Sequence, residues 1–245
     1  MEKTGEYKRY CASYLVNSKG KLTYSALGNE LLNCAGIHAN ERGFGRKTTS
    51  DGTYGWVLSR LVMEMNDMPG EYEDFTLRTW VESIYRTFTN RNFEILNHKG
   101  HSIGFARSVW AMIEMEKRQA VDLLSMHGEN MAASVDAEKE CPIDKMSHIR
   151  VHAETPIVQN AVKWSDIDIN QHVNSMKYTE HIFDLFSLQW HEAHPTRRFE
   201  IAYMTETRYG DTLGYYMDEV NEKEYVIEIR KNDTTPVVHS RIIFA

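Results

Sequence analysis

The stretch WSDIDINQHVNSMKY, from Trp164 to Tyr178, decides how the fold of this chain is interpreted. An Asp, Asn or His occupies every second position from 166 to 174, and apolar residues fill three of the four positions between them. Such a row needs an explanation, because polar groups beside buried neighbours cost free energy unless they are hydrogen-bonded. Three alternatives are a calcium-binding loop, a helix cap and a catalytic site.

The calcium-loop alternative fits the spacing poorly. An EF-hand loop starting at Asp166 would place Gln171 at the sixth position, where glycine is needed for a sharp turn. It would place Lys177 at the twelfth position, where a glutamate binds the ion through both oxygens. We therefore predict no metal site here.

Helix capping explains part of the row. Asp and Asn are favoured where a helix begins, because their oxygens accept from the unpaired amides of the first turn. A helical pattern covers roughly 172–193, so Asn174 is a candidate cap. Capping explains neither His172 nor the complete row, and it stays an alternative for Asn174.

The catalytic alternative uses the same helix start. Asp168 and His172 are four positions apart, so within a helical turn they would share a face and the carboxylate would orient the imidazole. The positive potential of a helix N-terminus stabilises a carbonyl that becomes an oxyanion. Asn170 would donate to that carbonyl or position a water molecule.

Length and composition narrow the class of protein. The 245 residues, 42% hydrophobic and 26% charged, fit one large or two small globular domains. The net charge of −7 gives no support for nucleic-acid binding through bulk charge. The three cysteines lack CxxC spacing, which argues against a zinc site and a disulfide scaffold. We find no secretory signal and no run of the ~18 apolar residues that a membrane helix needs, so we expect a cytoplasmic protein without membrane insertion.

Helix and strand patterns occur in the same order in both halves of the chain. Apolar residues at helical spacing come first, and segments with period-two alternation follow. The predicted helices cover 22–44, with Ser25 as cap, and 172–193; the predicted strands cover 76–83, 91–96, 102–113, 198–208, 211–220, 224–232 and 237–245. This order predicts duplication of one α+β unit, a helix packed in an antiparallel sheet.

A polar stretch separates the two halves. Residues 125–150 contain no Phe, Trp or Tyr and include Pro142, which predicts a linker. We therefore expect a first unit at 1–130, a linker at 131–150 and a second unit at 151–245.

The polar row resembles the signature of acyl-acyl carrier protein thioesterases, D-x-N-x-H-V-N. The match falls on Asp168, Asn170, His172, Val173 and Asn174. WVLSRLVMEMNDMPGEYEDFTLRTWV and FARSVWAMIEMEKRQAVDLL in the first half also resemble the family, so the similarity covers nearly the whole chain. It implies the family's tandem (double) hotdog fold, in which each of two units wraps an antiparallel sheet around a long helix. The transit segment of plant members has no counterpart, so we expect a bacterial member.

The resemblance also implies an activity: hydrolysis of a fatty acyl thioester on acyl carrier protein in fatty acid biosynthesis, without cofactor or metal. Glu206, in AYMTETRYGD, falls where the family has a functional glutamate, although strand alternation alone would make it an exposed carboxylate. Thr207 stands where the family often has cysteine, which argues against a cysteine nucleophile. The implied catalytic residues are Asp168, Asn170, His172 and Glu206; the implied substrate-binding residues are Asn174 and, in a first-half acyl pocket, Met63, Met65, Trp80 and Trp110.

Several alternatives stay open at this point. The nucleophile is either water, with Glu206 or His172 as base, or Glu206 itself, which would form a mixed anhydride. A coenzyme A thioesterase, another hotdog enzyme such as a dehydratase and a noncatalytic acyl-binding module are the rival functions. Acyl-chain preference and a homodimer are also open. Candidate cations for docking the acidic carrier protein are Arg42, Arg46, Lys47, Lys177, Arg197 and Arg198.

Overall fold

The computed structural model describes residues 2–47 and 52–245. The chain divides into two compact units, Met1–Lys145 and Met146–Ala245. Each unit contains its own antiparallel sheet with a helical segment against it.

The first unit is built around one long helix. Its elements are β1 (Gly5–Tyr10), α1 (Tyr24–Glu41), β2 (Tyr54–Met65), β3 (Asp74–Tyr85), β4 (Phe88–Leu96), β5 (Ser102–Glu114), the short β6 (Gln119–Ala120) and α2 (Leu123–Ala133). The strand order is β1-β3-β4-β5-β2, and β6 pairs with β5. The cap of α1 is Thr23, whose Oγ1 accepts from the Ala26 N–H at 3.2 Å, so the prediction of Ser25 as cap is wrong.

The second unit has two short helices where one long helix was predicted. Its elements are β7 (Val158–Ala161), α3 (Ser175–Phe183), α4 (Leu188–Ala193), β8 (Thr196–Tyr203), β9 (Thr212–Asn221), β10 (Glu224–Lys231) and β11 (Thr235–Phe244). Ser187 interrupts the helix because its Oγ accepts from the Trp190 N–H at 3.1 Å and starts a new first turn. Phe186 lies between the two helices in the chain, and its ring centroid is 5.1 Å from those of Tyr225 and Phe244.

The two sheets have the same connectivity. The second sheet has the order β7-β9-β10-β11-β8, which repeats the first strand for strand. In both units the strand before the helix lies at an edge, β1 beside β3 and β7 beside β9. The α+β fold with two hotdog units in tandem is therefore confirmed, and the duplication seen in the sequence extends to topology.

The predicted linker is partly wrong. Leu123–Ala133 forms α2, capped by Asp122, whose carboxylate accepts from the amides of Leu124 and Ser125. The following residues stay with the first unit because Arg107 donates to the carbonyl oxygens at positions 141 and 143, at 2.7 and 2.8 Å. The division between units falls after Lys145, inside the range 131–150.

Two expectations about the whole chain concern membranes and thiols. None of the helices in the described ranges is both long and apolar enough to span a bilayer. Cys11, Cys34 and Cys141 are buried and unpaired, so the chain has no disulfide scaffold.

Candidate active site

The row of polar residues lies in a loop that precedes α3. An antiparallel bridge joins Ile167 to Val173, and the Asp168 N–H donates to the His172 carbonyl oxygen at 2.8 Å. Gln171 takes a positive φ of 64°, which turns the chain sharply. The prediction that Asp168 and His172 share a helix face is therefore wrong.

The Asp168 carboxylate shapes this loop. Its Oδ1 accepts from the N–H of Asn170 at 2.7 Å and from the N–H of His172 at 3.4 Å. Its Oδ2 lies 3.4 Å from Nδ2 of Asn170. Asp side chains commonly satisfy backbone amides ahead of them in this way. Asp168 thus acts on the main chain that carries His172.

The first unit contains a loop of the same shape with different side chains. Within residues 16–22, the Asn17 Oδ1 accepts from the amides of Lys19 and Lys21 at 2.9 and 3.2 Å. The Asn17 N–H donates to the Lys21 carbonyl oxygen at 2.9 Å. Lys21 therefore stands at the position that His172 has in the second unit.

His172 and Glu206 lie together, as the family resemblance implied. Nε2 of His172 is 3.2 Å from Oε2 of Glu206, with the side chains 16% and 39% exposed. Glu206 belongs to a loop, because β8 ends three residues before it. Just after β8, the Met204 N–H donates to the Val237 carbonyl oxygen at 2.8 Å. The strand predicted over 198–208 is too long. An imidazole in contact with a carboxylate is a pair suited to proton transfer.

Thr207 holds the Glu206 loop against the start of α3. Its side chain is fully buried, and its Oγ1 lies 2.5 Å from the Tyr178 hydroxyl. Its carbonyl oxygen accepts from the Val173 N–H at 2.9 Å. Burial raises the pKa of Tyr178 to about 12, so the phenol stays protonated at neutral pH. Both contacts lie close to His172 in the chain, so they set where Glu206 sits relative to the imidazole.

Asn174 and Asp166 fix the start of α3. The Asn174 Oδ1 accepts from the Met176 N–H at 2.8 Å, which is the capping role. The Asn174 N–H donates to the Asp166 carbonyl oxygen at 2.8 Å. The buried Asp166 carboxylate accepts from the Lys163 N–H at 2.8 Å and lies 3.4 Å from Nε2 of His181. These two members of the row support the helix start.

A cleft of about 140 Å³ opens in the first unit between α1 and strands β2, β4 and β5. Most of its lining is apolar. The lining residues are Leu32, Ala35, Gly36, Ala39, Asn40, Phe44, Gly45, Arg46, Trp56, Thr89, Arg91 and Trp110.

The four residues predicted to line an acyl pocket lie in different places. Trp110 lines the cleft, with its Nε1 donating to a serine Oγ at 2.8 Å. Met63 and Met65 on β2 are buried in packed core and are not among the lining residues. Trp80 is also buried elsewhere: its Nε1 donates to the Lys139 carbonyl oxygen at 3.0 Å, and the Lys139 ammonium lies 4.4 Å from its ring.

Two of the six candidate docking cations are unsuitable because they are buried. Arg42 donates to a main-chain carbonyl at 2.7 Å, and Arg198 pairs with Glu200 at 2.7 Å. Lys177 pairs with Glu180 at 2.6 Å. Of the other candidates, Arg46 and Lys47 are exposed and Arg197 is half-buried.

Comparison with known proteins gives the family. The Acyl-ACP thioesterase N-terminal and C-terminal domain patterns match residues 5–127 and 148–244. An acyl-ACP thioesterase structure from Bacteroides thetaiotaomicron is 45% identical, with a TM-score of 0.93 over 99% of this chain and 98% of that one. The 12:0-ACP thioesterase from Umbellularia californica shares the fold, with a TM-score of 0.85 at 17% identity over 100% of this chain and 98% of that one.

A curated plant relative is considerably longer. The chloroplastic palmitoyl-acyl carrier protein thioesterase of Gossypium hirsutum is 26% identical over 162 residues, 62% of this chain and 38% of that protein. This chain thus spans less than half of that relative's length. Because the two domain patterns together cover most of its residues, the chain belongs to the acyl-ACP thioesterase family.

Proposed function

We propose that this chain hydrolyses the thioester between a fatty acyl group and acyl carrier protein, releasing a free fatty acid in fatty acid biosynthesis. The observation that carries the proposal is the 3.2 Å approach of His172 Nε2 to Glu206 Oε2. Family membership supplies the substrate class, since the Bacteroides thetaiotaomicron relative is named an acyl-ACP thioesterase. We further propose that the reaction takes place in the cytoplasm.

The residues around the pair would divide the work. The thioester carbonyl would lie near the loop before α3, where Asn170 and backbone N–H groups would stabilise the developing oxyanion. Asp168 would keep the loop in the conformation that presents His172, since its carboxylate binds the loop's own amides. Asn174 would act through the helix start that it caps.

Two routes use the same pair. In the first, the His172–Glu206 pair takes a proton from water, the resulting hydroxide adds to the carbonyl, and the C–S bond breaks to release the carrier thiol. In the second, the Glu206 carboxylate attacks, the thiolate leaves and takes a proton, and water then cleaves the mixed anhydride. Neither route requires a metal or an organic cofactor.

We place the acyl chain in the cleft of the first unit. Trp110 supports this assignment because it lines the cleft, whose walls are largely apolar. Met63, Met65 and Trp80 are packed elsewhere and are therefore not retained as contacts of the acyl chain.

Carrier-protein docking would use the accessible cations. Because this chain has a net charge of −7, it needs a local positive surface to bind an acidic partner. We expect Lys47→Glu or Arg197→Glu to raise KM for the carrier substrate and to weaken its dependence on salt, because attraction between exposed charges is screened. A change that leaves the salt dependence intact removes that residue from the docking surface.

A substrate panel tests the function. The full chain would be incubated with acyl carrier protein bearing acyl groups of graded length, and with the matching coenzyme A thioesters, while free thiol is followed over time. We expect thiol release with preference for the carrier form. Equal or faster release from coenzyme A would favour a coenzyme A thioesterase, and binding without release would favour a noncatalytic module.

A further inference from the structure

The cleft of the first unit has a buried cation in its wall. Arg91 on β4 lines the cleft and is only 4% exposed. Its Nη1 donates to Nδ1 of His38 and to Oγ1 of Thr79, each at 3.1 Å. Within residues 2–47 and 52–245 these are the hydrogen-bond partners of its guanidinium, and neither is an anion.

The groups around Arg91 are neutral or positive. Burial, followed by the charges of Arg91 and Arg42, lowers the pKa of His38 to about 3, so the imidazole is neutral. A guanidinium can only donate, so the His38 proton is on Nε2, which donates to the Lys3 carbonyl oxygen at 3.1 Å. Burial raises the pKa of Cys34 to about 12, which keeps that thiol neutral. Burial also lowers the pKa of Arg91 to about 10, which leaves it charged at neutral pH.

A buried charge without a counter-ion is unfavourable, and an incoming carboxylate would relieve it. Arginine binds carboxylates through charge-assisted hydrogen bonds that are stronger than neutral ones. The exposed Arg46 adds a second positive charge at the same cleft. Most of the other lining residues are apolar, so the complementary ligand has an aliphatic body and one negative end.

The size of the cleft limits the length of that body. Its 140 Å³ is close to that of an engineered cavity of ~150 Å³ that holds benzene. By the same comparison, about six carbon atoms of a chain fit inside the cleft, and the end of a slightly longer chain would extend through its opening.

We propose that this cleft binds an aliphatic carboxylate, with the carboxylate paired to Arg91 and the chain against Trp56 and Trp110. The proposal rests on the proposed function in one respect: the fatty acid that hydrolysis releases belongs to this ligand class. A bound acid would fill the space assigned to the acyl chain, so it would compete with substrate.

Direct binding tests the proposal without any catalytic assay. Octanoate and octanol would be titrated separately into the full chain while tryptophan fluorescence is recorded, because Trp56 and Trp110 line the cleft. We expect octanoate to bind at least about tenfold more tightly than octanol, the ratio that a difference of about 1.4 kcal/mol produces. Equal affinities in the wild-type chain would overturn the proposal.

Variants locate the carboxylate. Arg91→Met keeps an unbranched side chain without the charge, and we expect it to bind octanoate no better than octanol. Arg78→Met is the matched control, because Arg78 lies on the same sheet, half-buried and paired with Glu6 at 2.7 Å. It should keep the preference for octanoate. If circular dichroism shows that Arg91→Met does not fold, the comparison of octanoate with octanol in the wild-type chain still tests the proposal.

A catalytic-pair variant separates this site from the proposed active site. If Glu206→Gln still binds octanoate more tightly than octanol, the bound carboxylate lies away from the catalytic pair. If Glu206→Gln loses this preference and Arg91→Met keeps it, the proposal is contradicted. If the chain prefers octanoate but does not hydrolyse thioesters, only the proposed function is contradicted. If the chain hydrolyses thioesters but does not prefer octanoate to octanol, only the carboxylate site is contradicted.

Discussion

Asn17 and Asp168 occupy the same position in two loops of the same shape, one in each unit. Each side chain accepts from the amides two and four residues ahead. Each N–H donates to the carbonyl oxygen four residues ahead. A neutral amide therefore makes this loop as well as a carboxylate does. The two units share the backbone of the loop and differ in the side chain at its end, Lys21 in one and His172 in the other.

This equivalence predicts that Asp168→Asn keeps the active-site loop. We expect kcat/KM on acyl carrier substrates to stay within about tenfold of wild type, because the amide oxygen replaces the carboxylate oxygen. Asp168→Ala removes the acceptor and should lower kcat/KM by about 10²-fold. Asn17→Asp in the first unit is the matched control and should leave activity unchanged. If Asp168→Asn is as inactive as Asp168→Ala, the charge of Asp168 takes part in the chemistry.

The contact between Tyr178 and Thr207 should position Glu206. Thr207→Val leaves the buried phenol without its partner, so we expect the free energy of unfolding to fall by about 1–3 kcal/mol. We also expect kcat to fall about tenfold, the effect of a shift in the barrier of about 1.4 kcal/mol, with little change in KM. Tyr178→Phe should reduce kcat similarly, and the double variant should be no worse than the single ones, because both remove one interaction.

The readouts for this pair separate positioning from simple loss of stability. The pH profile of kcat would be measured for each variant at a temperature well below its unfolding transition. Positioning predicts a displaced profile, because the Glu206 carboxylate would no longer be held against His172. Lower stability with an unchanged kcat and an unchanged profile would show that the contact is only structural.

Buried His38 should make the first unit sensitive to acid. Burial lowers the pKa of His38 to about 3 in the fold, against about 6.5 for a free histidine. The unfolded chain binds the extra proton between these values, so this contribution to stability is complete above pH 6.5 and decreases as the pH falls towards 3. The expected loss is at most about 1.4 kcal/mol per pH unit.

His38→Gln tests that acid sensitivity. The amide of glutamine does not titrate, yet it can accept from Arg91 and donate to the Lys3 carbonyl oxygen. Urea unfolding at pH 7, 6, 5 and 4 would give the free energy of unfolding of both proteins. We expect a shallower decline for the variant. Parallel declines would show that His38 contributes nothing to the pH dependence.

The sequence predicts the duplicated fold because the repeated order of helix and strand patterns is visible along the chain. The approach of Glu206 to His172 was implied by the family resemblance alone, since the two residues are far apart in the sequence. The sequence does not predict the conformation of the polar row. Asp and Asn favour both helix caps and short turns for the same reason, the acceptance of backbone N–H bonds. The bridge between Ile167 and Val173 decides between them, and it depends on packing outside the row.

Other features were missed because their signal is tertiary. From the sequence, Thr207 was noted only because it stands where the family often has cysteine. Its contact with Tyr178 was missed because that residue is 29 positions away in the chain. Arg91 opens a predicted strand, where a charged residue suggests solvent, yet α1 covers it through His38. The helix α2 gave no apolar pattern in the sequence because, among its residues whose side chains the structure describes, only Leu123 and Met131 are buried.

The most direct test of the account is a double-mutant cycle on the catalytic pair, with Glu222→Gln as an exposed control. We predict that His172→Gln and Glu206→Gln each lower kcat for acyl carrier substrate by ~10²–10⁴-fold. We also predict that kcat of the double variant is only slightly lower than kcat of the less active single variant. A correctly folded Glu206→Gln protein with near-wild-type turnover would contradict the central claim.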